Sequence, residues 1–294
     1  MNKVGFIGVG IMGKSMVRNL MKAGFELHIY ARTKSKVEDV ISEGAQFHES
    51  IKDCVQDCDA VITIVGFPQD VEEVYFDQGN ILDSAKEGAY LIDMTTTSPQ
   101  IAEKIYEEGT KRGFHVMDAP VTGGDTGAKA GTLSILVGGE KEDYEACMPL
   151  FEAMGTNINY QGKAGCGQHC KLANQIMIAG TLSGVCEALT YAKEQGLDPE
   201  VFMKSVATGA AGSKQLDIFG PKILKDDYAP GFFMKHFIKD MKLALIEANR
   251  KGLSLDVLSM VLANYEELEQ EGYGDLGTQA LMKFYDEEHR NMEE

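Results

Sequence analysis

The chain has no tryptophan, 7 prolines in 294 residues, and 28 basic residues against 45 acidic ones. Each shortage excludes something. A formal net charge of −17 is the wrong sign for a nucleic-acid partner, whose phosphates demand a basic surface. Any anionic ligand therefore needs a local cluster of cations. Six cysteines (Cys54, Cys58, Cys147, Cys166, Cys170 and Cys186) are too few and too scattered to staple a chain this long, so reduced thiols are expected. Cys166, His169 and Cys170 lie close together, but no CxxC pair with a second pair downstream accompanies them, and no metal is expected. No uninterrupted apolar run approaches the roughly 20 residues that cross a bilayer. The opening, Met1-Asn2-Lys3-Val4-Gly5-Phe6-Ile7, enters a strand pattern at once, which argues against a signal peptide. The expectation is a cytoplasmic protein that engages no membrane.

What is present is ordinary for a folded domain, with 44% hydrophobic and 25% charged residues. The length suggests about two domains. Residues 3–7 form a short apolar run with little alternation, as a buried parallel strand should. Gly8-Val9-Gly10-Ile11-Met12-Gly13 follows, then a helical stretch to Ala23, Gly24, and a second strand at 26–30. In this β-α-β setting GxGxxG carries a mechanism: Gly8 makes the turn, Gly10 admits a pyrophosphate to the backbone, and Gly13 lets helix and strand pack closely. Free N–H groups where the helix begins, at Ile11 and Met12, then hold the phosphates.

An acid ending the second strand would bind the ribose hydroxyls of NAD. Here the strand runs into Ala31-Arg32-Thr33-Lys34-Ser35-Lys36, with three cations and no carboxylate. That cluster suits a 2′-phosphate, so NADP is expected in preference to NAD. Arg32 would stack on adenine or pair the phosphate, and Thr33 would add a hydroxyl. The competing reading is a solvated helix start.

Further strand patterns occur at 60–65, 89–94, 114–118, 133–137 and 158–160, with helices near 70–76, 98–112 and 141–153 between them. Val65 ends the first of these strands, at the edge where open α/β sheets bind ligands. After residue 165 the pattern is helical only, near 168–194, 199–208, 213–220, 234–251, 254–270 and 276–289. Such a switch marks a domain boundary. The fold expected is α/β, a Rossmann-type doubly wound and mostly parallel sheet over residues 1–163. An all-helical domain for substrate binding and oligomerisation follows over 164–294, joined by one long interdomain helix. The acids Glu266, Glu267, Glu269, Glu271, Asp286, Glu287 and Glu288 read as a solvated helical face.

The long helix organises the chain. On it Lys171, Asn174 and Gln175 stand at i, i+3 and i+4 and share one face. Polar groups at the head of an apolar stripe need partners or a job. A lysine in the first turns of a helix feels the positive end of the macrodipole, which eases loss of its proton and suits a proton donor. A solvated surface lysine is the plain alternative.

Four motifs agree in order: Gly8 to Gly13; Asp118-Ala119-Pro120-Val121-Thr122-Gly123-Gly124; Gly165 to Gln175; and Lys239-Asp240. With these the chain resembles the β-hydroxyacid dehydrogenases, over almost its whole length. The resemblance implies that Thr122, Gly123 and Gly124 bind a substrate carboxylate, and adjacent backbone donors at a glycine pair can cradle an anion. It also makes Lys171 the catalytic lysine, Asn174 the amide that places the substrate, Lys239 a lysine beside the nicotinamide held by Asp240, and Thr96 a contact near the nicotinamide ribose. Gln175 stands where some members carry a second asparagine. Ala31 departs from the family's Asn-Arg-Thr and removes one polar contact, and Thr122 replaces a common serine. The activity implied is hydride transfer between NADP(H) and a short 3-hydroxy acid or semialdehyde by a homo-oligomer. The rivals are an imine reductase on the same architecture, a decarboxylating relative, and a non-catalytic NADPH-binding module.

Overall fold

The computed structural model describes residues 1–285, so Asp286, Glu287 and Glu288 lie outside the described residues. The chain divides into two compact units, Met1–Lys171 and Leu172–Glu294.

The first unit is built on nine strands: β1 (Lys3–Ile7), β2 (Glu26–Tyr30), β3 (Gln46–Phe47), β4 (Ala60–Thr63), β5 (Tyr90–Asp93), β6 (His115–Asp118), β7 (Val121–Thr122), β8 (Leu133–Gly139) and β9 (Gly155–Gly162). They lie in the order β3-β2-β1-β4-β5-β6-β8-β7, with β9 pairing β8. The six strands from β3 to β6 are parallel; β8 runs antiparallel to β6 and β7 and parallel to β9. This is the doubly wound, mostly parallel sheet that the motif order implied. Its central strands β1, β4 and β5 read as largely apolar runs because both faces are covered. Val4 and Phe6 of β1 enter one buried cluster, with Ile62 and Ile92, while Ile7 enters another, with Val61 and Leu91. Each such fully buried side chain is worth roughly 1.5–3 kcal/mol.

The differences from the sequence reading have local causes. Strands β3 and β7 have two residues each, too short for alternation to register. The helix expected over 141–153 is two, Lys141–Ala146 and Met148–Met154, broken at Cys147 with Pro149 opening the second. The helix expected to stop at 220 runs to Ile223 across Pro221. Of the helix expected over 276–289, the part at Thr278–Tyr285 is 3-10 helix and residues 286–289 lie outside the described residues.

The second unit is helical: Pro199–Val206, Lys214–Ile223, Met234–Arg250 and Asp256–Gln270 follow the greater part of the long helix, Cys166–Glu194. Leu182, Phe237, Met241, Val261 and Tyr265 form its centre, each fully buried. Among the described residues the long helix alone reaches the length and apolarity of a membrane span. Its 29 residues reach a mean hydropathy of 1.2 over an 18-residue window, of which 44% is buried, a measure that the core helix of a folded domain also meets. All six cysteines are free. Burial holds the Cys54 and Cys147 thiols well above their ordinary range and pushes Cys58 up to about 12, which keeps them unreactive.

Candidate active site

In the first unit the glycine loop has the geometry that dinucleotide binding requires. Gly8 has φ +96, and a Cβ there would stand 2.0 Å from the Ile64 carbonyl oxygen. A Cβ on Gly13 would stand 2.2 Å from the Gly8 oxygen, so helix Ile11–Lys22 packs on β1 only because residue 13 has no side chain. At Gly10 the same construction meets nothing within 4 Å. Gly10 is the N-cap of this helix, with no side-chain cap and no acid in its first turn. The N–H groups at Ile11 and Met12 therefore end at an open backbone, which fits a pyrophosphate. Ile11 and Asp125 line one cleft of about 490 Å³ with Ser15, Arg18, Asn19 and Lys129, and Asn19 Nδ2 donates to the Ala128 oxygen at 2.7 Å. The glycine loop and the Thr122–Gly124 segment are thus neighbours. Gly123 and Gly124 have φ +129 and +62 and open the helix Gly124–Ala130.

Beyond β2, Arg32, Thr33, Lys34 and Lys36 are exposed and Ala31 is half-buried. The structure adds carboxylates that the strand end itself lacks. Arg32 Nη2 lies 3.0 Å from Asp70 Oδ1, on the helix Pro68–Phe76, and Lys34 Nζ lies 3.4 Å from Glu49. Asp70 is fixed in turn by the Phe67 N–H, which donates to its Oδ2 at 3.0 Å.

At the carboxyl ends of β4, β5 and β6 a buried network joins the expected cofactor segments. Thr63 Oγ1 donates to Asp93 Oδ1 at 2.7 Å, the Thr95 N–H donates to the same oxygen at 3.1 Å, and the Val65 N–H donates to Thr95 Oγ1 at 3.0 Å. Thr95 and Thr97 are buried, whereas Thr96 between them is half-buried. Asp93 lies directly beside Asp118 in the pairing of β5 with β6. Burial pushes the Asp93 carboxyl up to about 6, with Thr95 and Thr63 pulling the other way and the neighbouring Asp118 adding repulsion.

The Asp118 carboxylate receives the start of the long helix. Its Oδ1 accepts the Gly165 N–H and its Oδ2 the Gln168 N–H, each at 2.8 Å. Burial raises the Asp118 pKa and these two donors lower it. An anion at a helix N-terminus is stabilising, so the positive pole of this helix is answered by a carboxylate that the macrodipole reading of Lys171 leaves out. Gly167 packs against the same strand ends, where a Cβ would meet the Leu136 and Asp118 carbonyl oxygens at 2.4 and 2.7 Å. Lys171, one turn on, is 7% exposed.

In the second unit a chain of side-chain contacts runs from Asn174 to Lys239. Asn174 Nδ2 donates to Gln175 Oε1 at 2.9 Å, Gln175 Nε2 donates to Asp240 Oδ2 at 2.7 Å, and Lys239 Nζ lies 3.0 Å from Asp240 Oδ1. Gln175 is 2% exposed and Asp240 is fully buried. The structure therefore places Gln175 as the link between Asn174 and Asp240, and Asp240 beside Lys239.

Three residues in the first unit's network escaped functional reading of the sequence: Asp93, Asp118 and Gln168. Each belongs to a segment already singled out, and the available signal was a polar residue at the end of a buried strand or in the first turn of a helix. Among the described residues no group of three His, Cys, Asp or Glu side chains is arranged to hold a metal.

Comparison with known proteins gives matches to two family models. Residues 3–162 match the NAD binding domain of 6-phosphogluconate dehydrogenase, and residues 165–285 match the NAD-binding domain of NADP-dependent 3-hydroxyisobutyrate dehydrogenase. The chain is similar to an uncharacterized oxidoreductase, YkwC, of Bacillus subtilis, 50% identical over 96% of this chain and 98% of the relative. It is also similar to a probable 3-hydroxyisobutyrate dehydrogenase-like protein 1, mitochondrial, of Arabidopsis thaliana, at 44% identity over 95% of this chain and 84% of the relative. Among solved structures, the Mycobacterium tuberculosis 3-hydroxyisobutyrate dehydrogenase with L-serine superposes with a TM-score of 0.88 at 26% identity, covering 96% of this chain and 98% of that one.

Proposed function

Because the chain belongs to the β-hydroxyacid dehydrogenase family, we propose that it moves hydride between NADP(H) and a short 3-hydroxy acid or its semialdehyde, with Lys171 as general acid and base. An NAD(P)-dependent hydroxy-acid dehydrogenase is the activity the family supports; the phosphate on the cofactor, the aldehyde acid and the lysine's role are what we add to it. The observation that carries the reading is Lys171 itself. It is a buried lysine in the second turn of a helix whose first turn is bonded to Asp118 and to the peptide groups on both sides of Thr96, a segment that also holds the Val65 N–H through Thr95.

The nicotinamide, when bound, gives or takes the hydride. The protein supplies the rest. Gly8, Gly10, Gly13 and the N–H groups at Ile11 and Met12 would hold the pyrophosphate, Thr96 would contact the cofactor near the nicotinamide ribose, and Val65 would add a further cofactor contact. Arg32 and Thr33, next to Ala31, receive the 2′-phosphate. Thr122, Gly123 and Gly124 hold the substrate carboxylate, and Asn174 orients the carbonyl. Lys171 Nζ hydrogen-bonds the carbonyl oxygen and gives it a proton in reduction; in oxidation the neutral amine takes the hydroxyl proton. Lys239 serves the nicotinamide, with Asp240 and Gln175 holding it and Asn174 in place.

Asp70 favours a second reading of the cofactor. A carboxylate 3.0 Å from Arg32 is what a ribose hydroxyl wants and a 2′-phosphate does not, so NAD is the alternative. NADPH and NADH consumption with glyoxylate, succinic semialdehyde, tartronate semialdehyde and methylmalonate semialdehyde tests both points. A KM for NADH at or below that for NADPH removes the NADP assignment. General acid-base help is worth roughly 100- to 10,000-fold, so Lys171→Ala is expected to lower kcat by that order while NADPH still binds. Retention of most of the turnover removes Lys171 from the role.

We also propose that the protein is a cytoplasmic homo-oligomer. Met177, Val257 and Met260 are 73%, 59% and 51% exposed on the second unit and supply apolar surface for self-association. A monomer in sedimentation at micromolar concentration refutes that part.

A further inference from the structure

We propose that Gln168 is the positioning residue for Lys171: its side-chain amide locks the first turn of the long helix to the backbone on both sides of Thr96. The inference rests on the reading of Lys171 as proton donor and extends it to a residue with no assigned role.

Gln168 is fully buried. Its Nε2 donates to the Thr95 carbonyl oxygen at 2.7 Å, and its Oε1 accepts the Thr97 N–H at 3.0 Å. Its own N–H donates to Asp118 at 2.8 Å. One residue thus bonds the ends of two adjacent strands, β5 through its side chain and β6 through its backbone. Gly165 adds a second bond to the same carboxylate, and Gly167 leaves no gap between helix and sheet. Together these contacts fix both the rotation of the helix about its axis and its height above the strand ends.

Lys171 lies three residues further on, about 4.5 Å along the axis and roughly 60° around it. Any slip of the first turn moves its ammonium by a comparable distance. An amide used merely to fill buried space is a poor choice, because each unpaired end costs free energy. Here both ends are spent on the two peptide groups that flank Thr96. Thr95 and Thr97 point inward while Thr96 remains partly accessible, so the residue expected at the nicotinamide ribose is presented by the same bonds that set the lysine. One side chain thus ties the lysine's helix turn to the segment that presents Thr96, and misplacement of reacting groups by about 1 Å can cost on the order of 100-fold in rate.

The test is a double-mutant cycle in the full-length chain: Gln168→Met, which keeps length and loses both bonds, made alone and together with Lys171→Ala. Turnover is read with NADPH and whichever of the four aldehyde acids the wild type reduces fastest, and NADPH affinity and thermal midpoint are measured for every variant. Gln168→Met is expected to lower kcat by roughly 10- to 100-fold, with a smaller change in NADPH affinity, and to change kcat by no more than about twofold when Lys171 is already alanine. An equal fall in both backgrounds makes Gln168 a fold residue only and overturns the proposal while leaving Lys171 its role. An unchanged kcat in the single variant overturns it as well. If Lys171→Ala alone keeps its turnover, the lysine reading fails first and this inference falls with it. Should Gln168→Met not fold, Gln168→Glu, which keeps the acceptor for Thr97 and loses the donor to Thr95, takes its place in the same cycle.

Discussion

Gly10→Ala and Gly13→Ala add the same methyl group to the same loop, yet they should fail in opposite ways. At Gly10 the backbone is extended, with φ −84, and an added Cβ meets nothing within 4 Å. Alanine is a poorer N-cap than glycine, but it also restricts the unfolded chain by about 0.4–1 kcal/mol, so the net change in stability should stay within about 0.5 kcal/mol. The methyl stands where a pyrophosphate must reach the backbone. Loss of one or two charge-assisted hydrogen bonds, roughly 1.5 kcal/mol each, weakens the cofactor about 10- to 150-fold. At Gly13 the methyl stands 2.2 Å from the Gly8 oxygen. That atom belongs to the backbone, so the helix must move off the strand, at a cost of roughly 1–3 kcal/mol or more. Thermal unfolding with and without NADPH separates the two. At 100 times its Kd, NADPH adds about 2.7 kcal/mol to the wild type, whereas a Kd raised about 50-fold leaves only about 0.7 kcal/mol. Gly10→Ala should therefore melt like the wild type without NADPH and gain little from it, and Gly13→Ala should melt early in both conditions. The reasoning is refuted if Gly10→Ala melts as early as Gly13→Ala without cofactor, or if it keeps the full NADPH shift.

Three further substitutions probe the buried and half-buried charges. Asp93 binds its proton more tightly folded, at about 6, than in its ordinary state at 3.8. Its contribution to stability therefore falls as pH rises through that window, by roughly 3 kcal/mol in full; Asp93→Asn should flatten the fall between pH 4 and 6 in urea titrations, and an unchanged slope would contradict this. Asp70→Asn releases Arg32 from an ion pair of which the arginine side is 70% exposed, and should shift the NADPH-to-NADH affinity ratio towards NADPH by up to about fivefold, less at high salt. No shift places Asp70 beyond the cofactor's reach. Asp240→Ala removes the carboxylate shared by Gln175 and Lys239 and should destabilise the helical unit by roughly 3–5 kcal/mol; a loss under about 1 kcal/mol in chemical denaturation would show that the pair carries no weight.

What the sequence made legible was short in range. The glycine loop could be assigned residue by residue because the steric role of each glycine is set within a dozen positions: Gly13 meets Gly8, and Gly10 meets open space. The parallel strands stood out because burial on both faces leaves them mainly apolar, with Thr63, Asp93 and Asp118 at their carboxyl ends and His28 inside β2 as the buried polar residues, and the long helix because its glycines sit at its head. Broken helices carried a local sign as well, in Pro149, that the pattern of apolar residues outweighed.

The rest of the site lies in contacts between chain ends far apart in sequence. Gln168 bonds residues 73 and 71 positions away, and Asp118 receives N–H groups 47 and 50 positions ahead. Arg32 finds at Asp70 the carboxylate that its own strand end lacks. Spacing rules see one helical turn or one strand repeat, whereas a doubly wound sheet gathers its ligand-binding edge from the ends of separate strands. A glutamine in a helix and an aspartate after a strand look like surface polarity until the strands they join are known to be adjacent. The polar residues worth questioning first in such a chain are therefore those where a buried strand ends or a long helix begins. There an unpaired polar group is costly, and here Thr63 and Thr95 bond Asp93, Asp118 accepts the Gln168 N–H, and the Gln168 amide pairs the Thr95 and Thr97 peptide groups.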